Sequence, residues 1–299
     1  MQLVPRRITA AAPASRTGPA TPAASARPEH VGWKTLLVGG VAVFGVLVWI
    51  LFRTGNPNLY PTVVLIGSFL VPMAFVAFVH DHLRRSVLSF EAVAWSFVIG
   101  GVLGILGASI LEPVLLPRLV GESDTLTLRG GLAVGAIEEA CKLAAVMFIV
   151  RRLPHGRALD GLLVGTAVGM GFAAFESLGY AFTILFATGG DVTASLIQTA
   201  LRAILAPFGH GIWTGIAAAA LFADSEQGRW RLGARTISAF VLVVVLHGAW
   251  DGLHVGGVLV VFGIPIAVSL IAIGVIGIIA FVAAWRMAAV RRRDEPLLE

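Results

Sequence analysis

Two adjacent carboxylates, Glu138 and Glu139, and an amine one turn later, Lys142, lie in the middle of an apolar run, residues 130–150. A run of this length is typical of a bilayer-spanning helix, in which a charged side chain costs about 2.5–3.5 kcal/mol on insertion scales. Three such side chains therefore indicate a polar site inside a helix bundle. Other helices must surround that site, and this requirement constrains the fold.

The rest of the chain supplies such helices. Of its 299 residues, 57% are hydrophobic and 13% charged, whereas soluble domains are about half apolar and a quarter charged. We therefore expect an all-α, polytopic membrane bundle that contacts the lipid bilayer. Eight apolar runs approach or exceed the ~20 residues that a spanning helix needs. These runs cover residues 35–52, 62–79, 92–111, 130–150, 161–186, 194–222, 236–253 and 257–284, and Pro207 predicts a kink in the sixth.

The basic residues predict the orientation in the membrane. With the N-terminus inside, 17 of the 22 Lys and Arg residues are cytoplasmic, three are outside and two are intramembrane. This bias predicts a multi-pass plasma-membrane protein with both termini in the cytoplasm. The net charge of +5 is explained by topology, and no nucleic-acid partner is expected. We expect residues 1–33 to be a disordered basic tail, 34–286 the membrane domain and 287–299 a cytoplasmic tail.

Ionisable residues away from helix ends concentrate in the fourth to seventh runs. They are Glu138, Glu139, Lys142, Glu176, Arg202, His210, His247 and Asp251. At a rise of about 1.5 Å per residue, Glu138, Glu176 and His247 lie about 10–15 Å from the outer ends of their runs, and His210 lies near 20 Å. These residues are predicted to meet in one layer in the outer half of the bilayer.

The chemistry of this set favours hydrolysis. A carboxylate can act as a general base on water, and two imidazoles with a carboxylate can hold Zn²⁺ with one position open. Glu138 and Lys142, four residues apart, also fit a structural ion pair. Arg202 fits either a counter-ion or a substrate contact. The complete set is more typical of a functional site than of packing.

Four short motifs in this region resemble a known family. Residues 138–142 (EEACK) resemble the EExxK motif of PrsW-type intramembrane proteases, and residues 172–180 (FAAFESLGY) resemble their FxxxE…Y motif. His210, and residues 247–251 as HxxxD, follow in the same order, so the resemblance covers about residues 130–255. A frequent Asn after the motif glutamate is Ser177 here.

The resemblance implies a core like that of the type II CAAX prenyl proteases, in helices four to seven. It also implies cleavage of a membrane-anchored protein substrate, such as an anti-sigma factor. The expected catalytic residues are Glu138, Glu139, Glu176, His210, His247 and Asp251. The expected supporting residues are Lys142, Tyr180 and Arg202.

Two versions of the mechanism stay open. In one, Zn²⁺ is held by His210, His247 and Glu176, with Glu138 as general base. In the other, Glu138 deprotonates water without a metal, and the imidazoles donate to the developing oxyanion. In both versions Glu139 supports Glu138, and Asp251 orients His247.

Two other functions are compatible with intramembrane Glu, His and Asp residues. An ion- or proton-coupled transporter would use them as a relay, but the two halves of the chain show no inverted repeat. A non-catalytic membrane scaffold would not need the complete Glu/His set. Intramembrane proteolysis is the preferred hypothesis.

Overall fold

The computed structural model describes residues 32–83, 86, 88–120, 127–152, 157–226, 229–261 and 264–290. Almost all of the predicted tail 1–33, and residues 291–299 of the predicted C-terminal tail, lie outside these ranges. The α-helices of the described part are α1 (Trp33–Thr54), α2 (Tyr60–His82), α3 (Phe90–Trp95), α4 (Gly101–Leu119), α5 (Leu128–Ile149), α6 (Ala158–Ala187), α7 (Val192–Leu205), α8 (His210–Asp224), α9 (Ala234–Gly252) and α10 (Val268–Val290).

The predicted all-α membrane bundle is confirmed. In the described part, seven helical segments are long and apolar enough to cross a bilayer, two of them formed by α3 with α4 and by α7 with α8. The other long helix is α5, which has 22 residues but carries Glu138, Glu139 and Lys142 in its middle. Each of the eight predicted runs thus contains one of these helical segments, and the sixth run contains the broken pair α7 and α8.

The third span is longer than the sequence predicted. It runs from Phe90 to Leu119, with a π-helical turn at Ser96–Gly100 between α3 and α4. Proline residues at 113 and 117 lie inside α4, although proline usually ends a helix. Glu112 therefore lies within a helix, one residue beyond the predicted end of the span at residue 111.

The eighth span is shorter than predicted, because it begins at Val268 and not at residue 257. The preceding residues form an antiparallel hairpin of β1 (Val258–Val261) and β2 (Ile264–Ala267). β1 consists of Val and Leu residues, and β-branched residues favour strands. A short apolar run does not by itself distinguish a strand from a helix.

The sixth span is broken where Pro207 predicted a kink. A 3₁₀ turn at Ala206–Phe208 separates α7 from α8, since proline has no N–H for the helical ladder. The break makes His210 the first residue of α8. The imidazole is therefore fixed at a helix end inside the bundle.

The central helix of the bundle is α6, which packs against α2, α4, α7 and α8, while α5 packs against α9. In their most apolar stretches, 89% of the residues of α6 are buried, compared with 6% for α1. Small residues permit the close packing, as is common between membrane helices. A Cβ at Gly169 of α6 would overlap the carbonyl oxygen of His210, and one at Gly248 of α9 would lie 2.6 Å from Leu132 Cα.

Candidate active site

Lys142 lies at the centre of the polar site and is fully buried. Its Nζ donates to Glu138 Oε2 at 3.0 Å and to Glu139 Oε1 at 2.9 Å, so the predicted ion pair with Glu138 is present. It also lies 2.7 Å from Nδ1 of His210, on α8. One ammonium group thus joins two carboxylates of α5 to an imidazole of another helix.

These contacts determine the tautomer of His210. An ammonium group can only donate hydrogen bonds, so Nδ1 of His210 is the acceptor. In the neutral ring Nε2 then carries the proton, and it lies 3.1 Å from Glu176 Oε2. Glu176 is thereby placed to orient the imidazole from the side opposite Lys142.

Glu139 is fully buried, and both of its oxygens are used. Oε1 accepts from Lys142 and lies 3.1 Å from His247 Nδ1, while Oε2 accepts from Thr214 Oγ1 at 2.9 Å. This carboxylate therefore connects α5 to α8 and α9. The contact with Nδ1 leaves Nε2 of His247 to face the interior of the site.

Glu138 faces the two imidazoles from the wall of a cavity. Its Oε2 lies 3.8 Å from His210 Nδ1 and 3.6 Å from His247 Nε2. Asp251 Oδ2 lies 3.4 Å from the same His247 Nε2, and its side chain is 35% exposed. Glu138 and Asp251 are thus the carboxylates at the open side of His247.

The FxxxE…Y segment, residues 172–180, provides Glu176, the carboxylate that contacts His210 from the side opposite Lys142. Glu176 pairs with Arg202 at 2.6 Å, so Arg202 is a counter-ion in the structure. Arg202 Nε donates to Ser177 Oγ at 3.2 Å. The guanidinium lies 4.2 Å from the centre of the Tyr180 ring, and Lys142 Nζ lies 3.9 Å from that of Phe172. Each motif aromatic thus supports a cation of the site.

Trp213 lies beside both imidazoles, although the site predicted from the sequence did not include it. It is fully buried, and its ring centre lies 5.7 Å from that of His210 and 4.9 Å from that of His247. It also packs edge-on against Trp250. The sequence signal that could have identified Trp213 is its place three residues after His210, on the next turn of α8. The indole restricts the orientation of both imidazoles.

Glu112 is a second residue that the sequence missed, because it directly follows the predicted third run. It lines the cavity, and its Oε1 is buried without a hydrogen-bond partner among the described residues. Its position four residues after Ala108, which also lines the cavity, places both on one face of α4. A carboxylate of the third span therefore faces the site.

A cavity of about 700 Å³ adjoins the site. Glu138, Glu176 and His210 line it, and so do Thr183 near the end of α6 and His254 just after α9. The charged layer is thus reached from the bundle end at which α6 and α9 finish.

The donor set fits a metal ion. Ligand atoms of Glu138, His210 and His247 all lie within 4.8 Å of one another. Tetrahedral ligands at about 2.0 Å from zinc are roughly 3.3 Å apart, close to the observed contacts of Glu138 with the imidazoles. The other ring nitrogens of His210 and His247 face Glu176 and Glu139, as is usual for metal-binding histidines. The carboxylate of this set is Glu138, whereas the sequence had predicted Glu176.

No curated protein and no solved structure matches this chain. The family described as PrsW family intramembrane metalloprotease matches residues 89–284, a region that contains α3 to α9, the hairpin and most of α10. Because this match covers well over half of the chain, the protein belongs to the PrsW family of intramembrane metalloproteases, which are peptide hydrolases.

Proposed function

We propose that this protein cleaves a membrane-anchored protein of the anti-sigma-factor type with zinc-activated water at the Glu138–His210–His247 set. The observation that carries the proposal is the convergence of these three side chains at the cavity wall. Two imidazoles and a carboxylate are a common zinc-binding set in hydrolases. Peptide hydrolysis, which the family supplies, is the reaction that such a set supports.

In this proposal His210 Nδ1, His247 Nε2 and Glu138 Oε2 would hold the zinc ion. Bound zinc lowers the pKa of its water to about 7 and polarises a carbonyl. Glu139 and Glu176 orient the two imidazoles through the ring nitrogens that do not face the metal site. Glu176 suits this role better than that of a ligand, because it already pairs with Arg202 at 2.6 Å.

The proton of the attacking water needs an acceptor that is open to the cavity and close to the metal ligands. Asp251 meets both conditions, since it lines the cavity and lies 3.4 Å from His247 Nε2. We therefore assign general-base function to Asp251 in the zinc version. In the metal-free version, Glu138 is the base, as the sequence suggested.

The cavity is suited to a substrate segment that has unfolded locally from a helical to an extended conformation. Carbonyl groups in a membrane helix are hydrogen-bonded within the helix, so the scissile bond must become extended before it can be attacked. Polar groups of Glu112, Tyr180 and Arg202 line the cavity and can satisfy the freed peptide groups. A single-span, membrane-anchored protein is the substrate class that meets this requirement.

Topology supports cleavage in the outer half of the membrane. The positive-inside pattern assigns the bundle end where α6 and α9 finish to the outer side. The cavity reaches that end at Thr183 and His254. We propose a plasma-membrane location, with both termini in the cytoplasm and a site that opens outward.

The substrate can be identified by comparing membrane proteomes. Cells that lack the protein would be complemented with wild type, with Glu138→Gln or with the empty vector. A single-span protein should accumulate uncut with the variant and with the vector, and be cleaved with wild type. A scaffold would act equally well with the variant. A transporter would produce ion flux in vesicles and no cleaved protein.

A further inference from the structure

We propose that the ammonium group of Lys142 and the metal ion compete for one place, so that this lysine sets the metal affinity of the site. The inference rests on the proposed function, because it takes Glu138, His210 and His247 as the metal ligands. The ion pair with Glu138 is then only one part of the role of Lys142.

The atoms that bind Lys142 are the atoms that would bind the metal. Lys142 Nζ lies 3.0 Å from Glu138 Oε2 and 2.7 Å from His210 Nδ1. Glu138 Oε2 and His210 Nδ1 are 3.8 Å apart, and both face Lys142 Nζ. An ion bound to both would lie within a few ångströms of Nζ and would need the lone pair of Nδ1 that Lys142 now occupies.

Charge makes joint occupancy unfavourable. Like charges a few ångströms apart repel strongly inside a protein, where solvent screens them poorly. Lys142 is fully buried, so water does not shield its charge. When the metal is bound, the ammonium group must withdraw from Glu138 and His210.

The structure provides partners for the withdrawn amine. Glu139 Oε1 lies 2.9 Å from Nζ, and the centre of the Phe172 ring lies 3.9 Å from it. Neither belongs to the proposed ligand set. Lys142 can therefore release two contacts and keep two, which would leave the buried charge paired in both states.

Zinc affinity of purified, full-length protein in detergent tests the exchange. Wild type, Lys142→Met and the control Arg129→Met would be titrated with zinc against a chromophoric chelator, and zinc content would be measured by mass spectrometry. Arg129 lies on the same helix but is exposed and donates to Leu119 O. We expect Lys142→Met to bind one zinc at least ~10-fold more tightly than wild type, because the competing charge is removed. Arg129→Met should match wild type.

Each other outcome has a definite meaning. Equal or weaker zinc binding by a folded Lys142→Met, with one zinc in wild type, would overturn the exchange and leave the proposed function intact. Absence of zinc from wild type and from all variants would overturn the exchange together with the zinc version of the proposed function. Lys142→Gln replaces Lys142→Met if the latter does not fold, with the same criterion. Lys142→Arg keeps the charge, so tighter binding by that variant would also contradict the exchange.

Discussion

Glu138 and Glu139 are neighbours in sequence but have different surroundings, because consecutive helical residues point in different directions. Glu139 is completely enclosed and binds Lys142, Thr214 and His247. Glu138 lies at the cavity wall and faces the two imidazoles. At the scale of single residues, Glu139 is therefore suited to holding the helices together and Glu138 to the metal contact that we propose.

The assignments of Glu138 and Asp251 can be separated by measuring zinc and hydrolysis together. Glu138→Gln should lose most of its zinc and its activity, since an amide is a poorer zinc ligand than a carboxylate. Asp251→Asn should retain about one equivalent of zinc and lose ~10²-fold or more in hydrolysis rate, because the proton acceptor is lost. Full zinc occupancy in an inactive Glu138→Gln would instead make Glu138 the base.

Replacement of Glu139 should reduce the stability of the fold. Glu139→Gln removes one of the two carboxylates that contact the buried Lys142. Because Glu138 still pairs with the lysine, the cost should lie below the ~3–5 kcal/mol that is typical when a buried charge loses its only partner. Thermal unfolding in detergent would measure the loss. Glu226→Gln is the control, because it removes an exposed 2.8 Å ion pair with Arg231 and exposed pairs contribute little. Equal unfolding temperatures of the two variants would contradict the structural role of Glu139.

At the scale of elements, the position of His210 depends on the close approach of α6 and α8. The 3₁₀ turn at Ala206–Phe208 ends α7 and allows α8 to begin at His210. Gly169 then lets α6 pass directly beneath the His210 carbonyl. The helix break before His210 and the absence of a side chain at Gly169 thus fix the position of this imidazole.

A methyl group at Gly169 should therefore displace α8. Gly169→Ala introduces a Cβ that overlaps the His210 carbonyl oxygen, whereas Gly179→Ala, on the same helix, meets no atom within 4 Å. Overpacking of this kind typically costs about 1–3 kcal/mol. We expect Gly169→Ala to unfold at lower temperature and to bind zinc more weakly, and Gly179→Ala to behave as wild type. Equal unfolding temperatures and zinc affinities of the two variants would contradict this prediction, because α8 could then shift without a cost in stability.

At the scale of the whole molecule, the sequence predicted the bundle and most of the site for one physical reason. Charged residues inside apolar runs are costly in lipid, so Glu138, Glu176, His210 and His247 were expected to meet in the interior. In the structure these four side chains lie next to one another. Directions of side chains could not be predicted. Whether Glu138 or Glu176 faces both imidazoles depends on helix rotation, which packing determines. Glu112 and the hairpin at Val258–Ala267 were missed because apolar content alone set the limits of the runs.

The orientation of the whole molecule can be tested with cysteines placed at the two ends of the bundle. In a Cys141→Ala background, Ala187→Cys lies at the exposed end of α6, and Leu232→Cys lies among the arginines between α8 and α9. The positive-inside pattern predicts that a membrane-impermeant maleimide labels Ala187→Cys in intact cells and labels Leu232→Cys only after permeabilisation. Thr183→Cys, which lines the cavity and is exposed, should also react from outside if the site opens toward that side, as we propose. The reverse labelling pattern would place the termini outside and the cavity mouth in the cytoplasm. Protection of Thr183→Cys alone would keep the topology and show that the cavity is closed from the outer side.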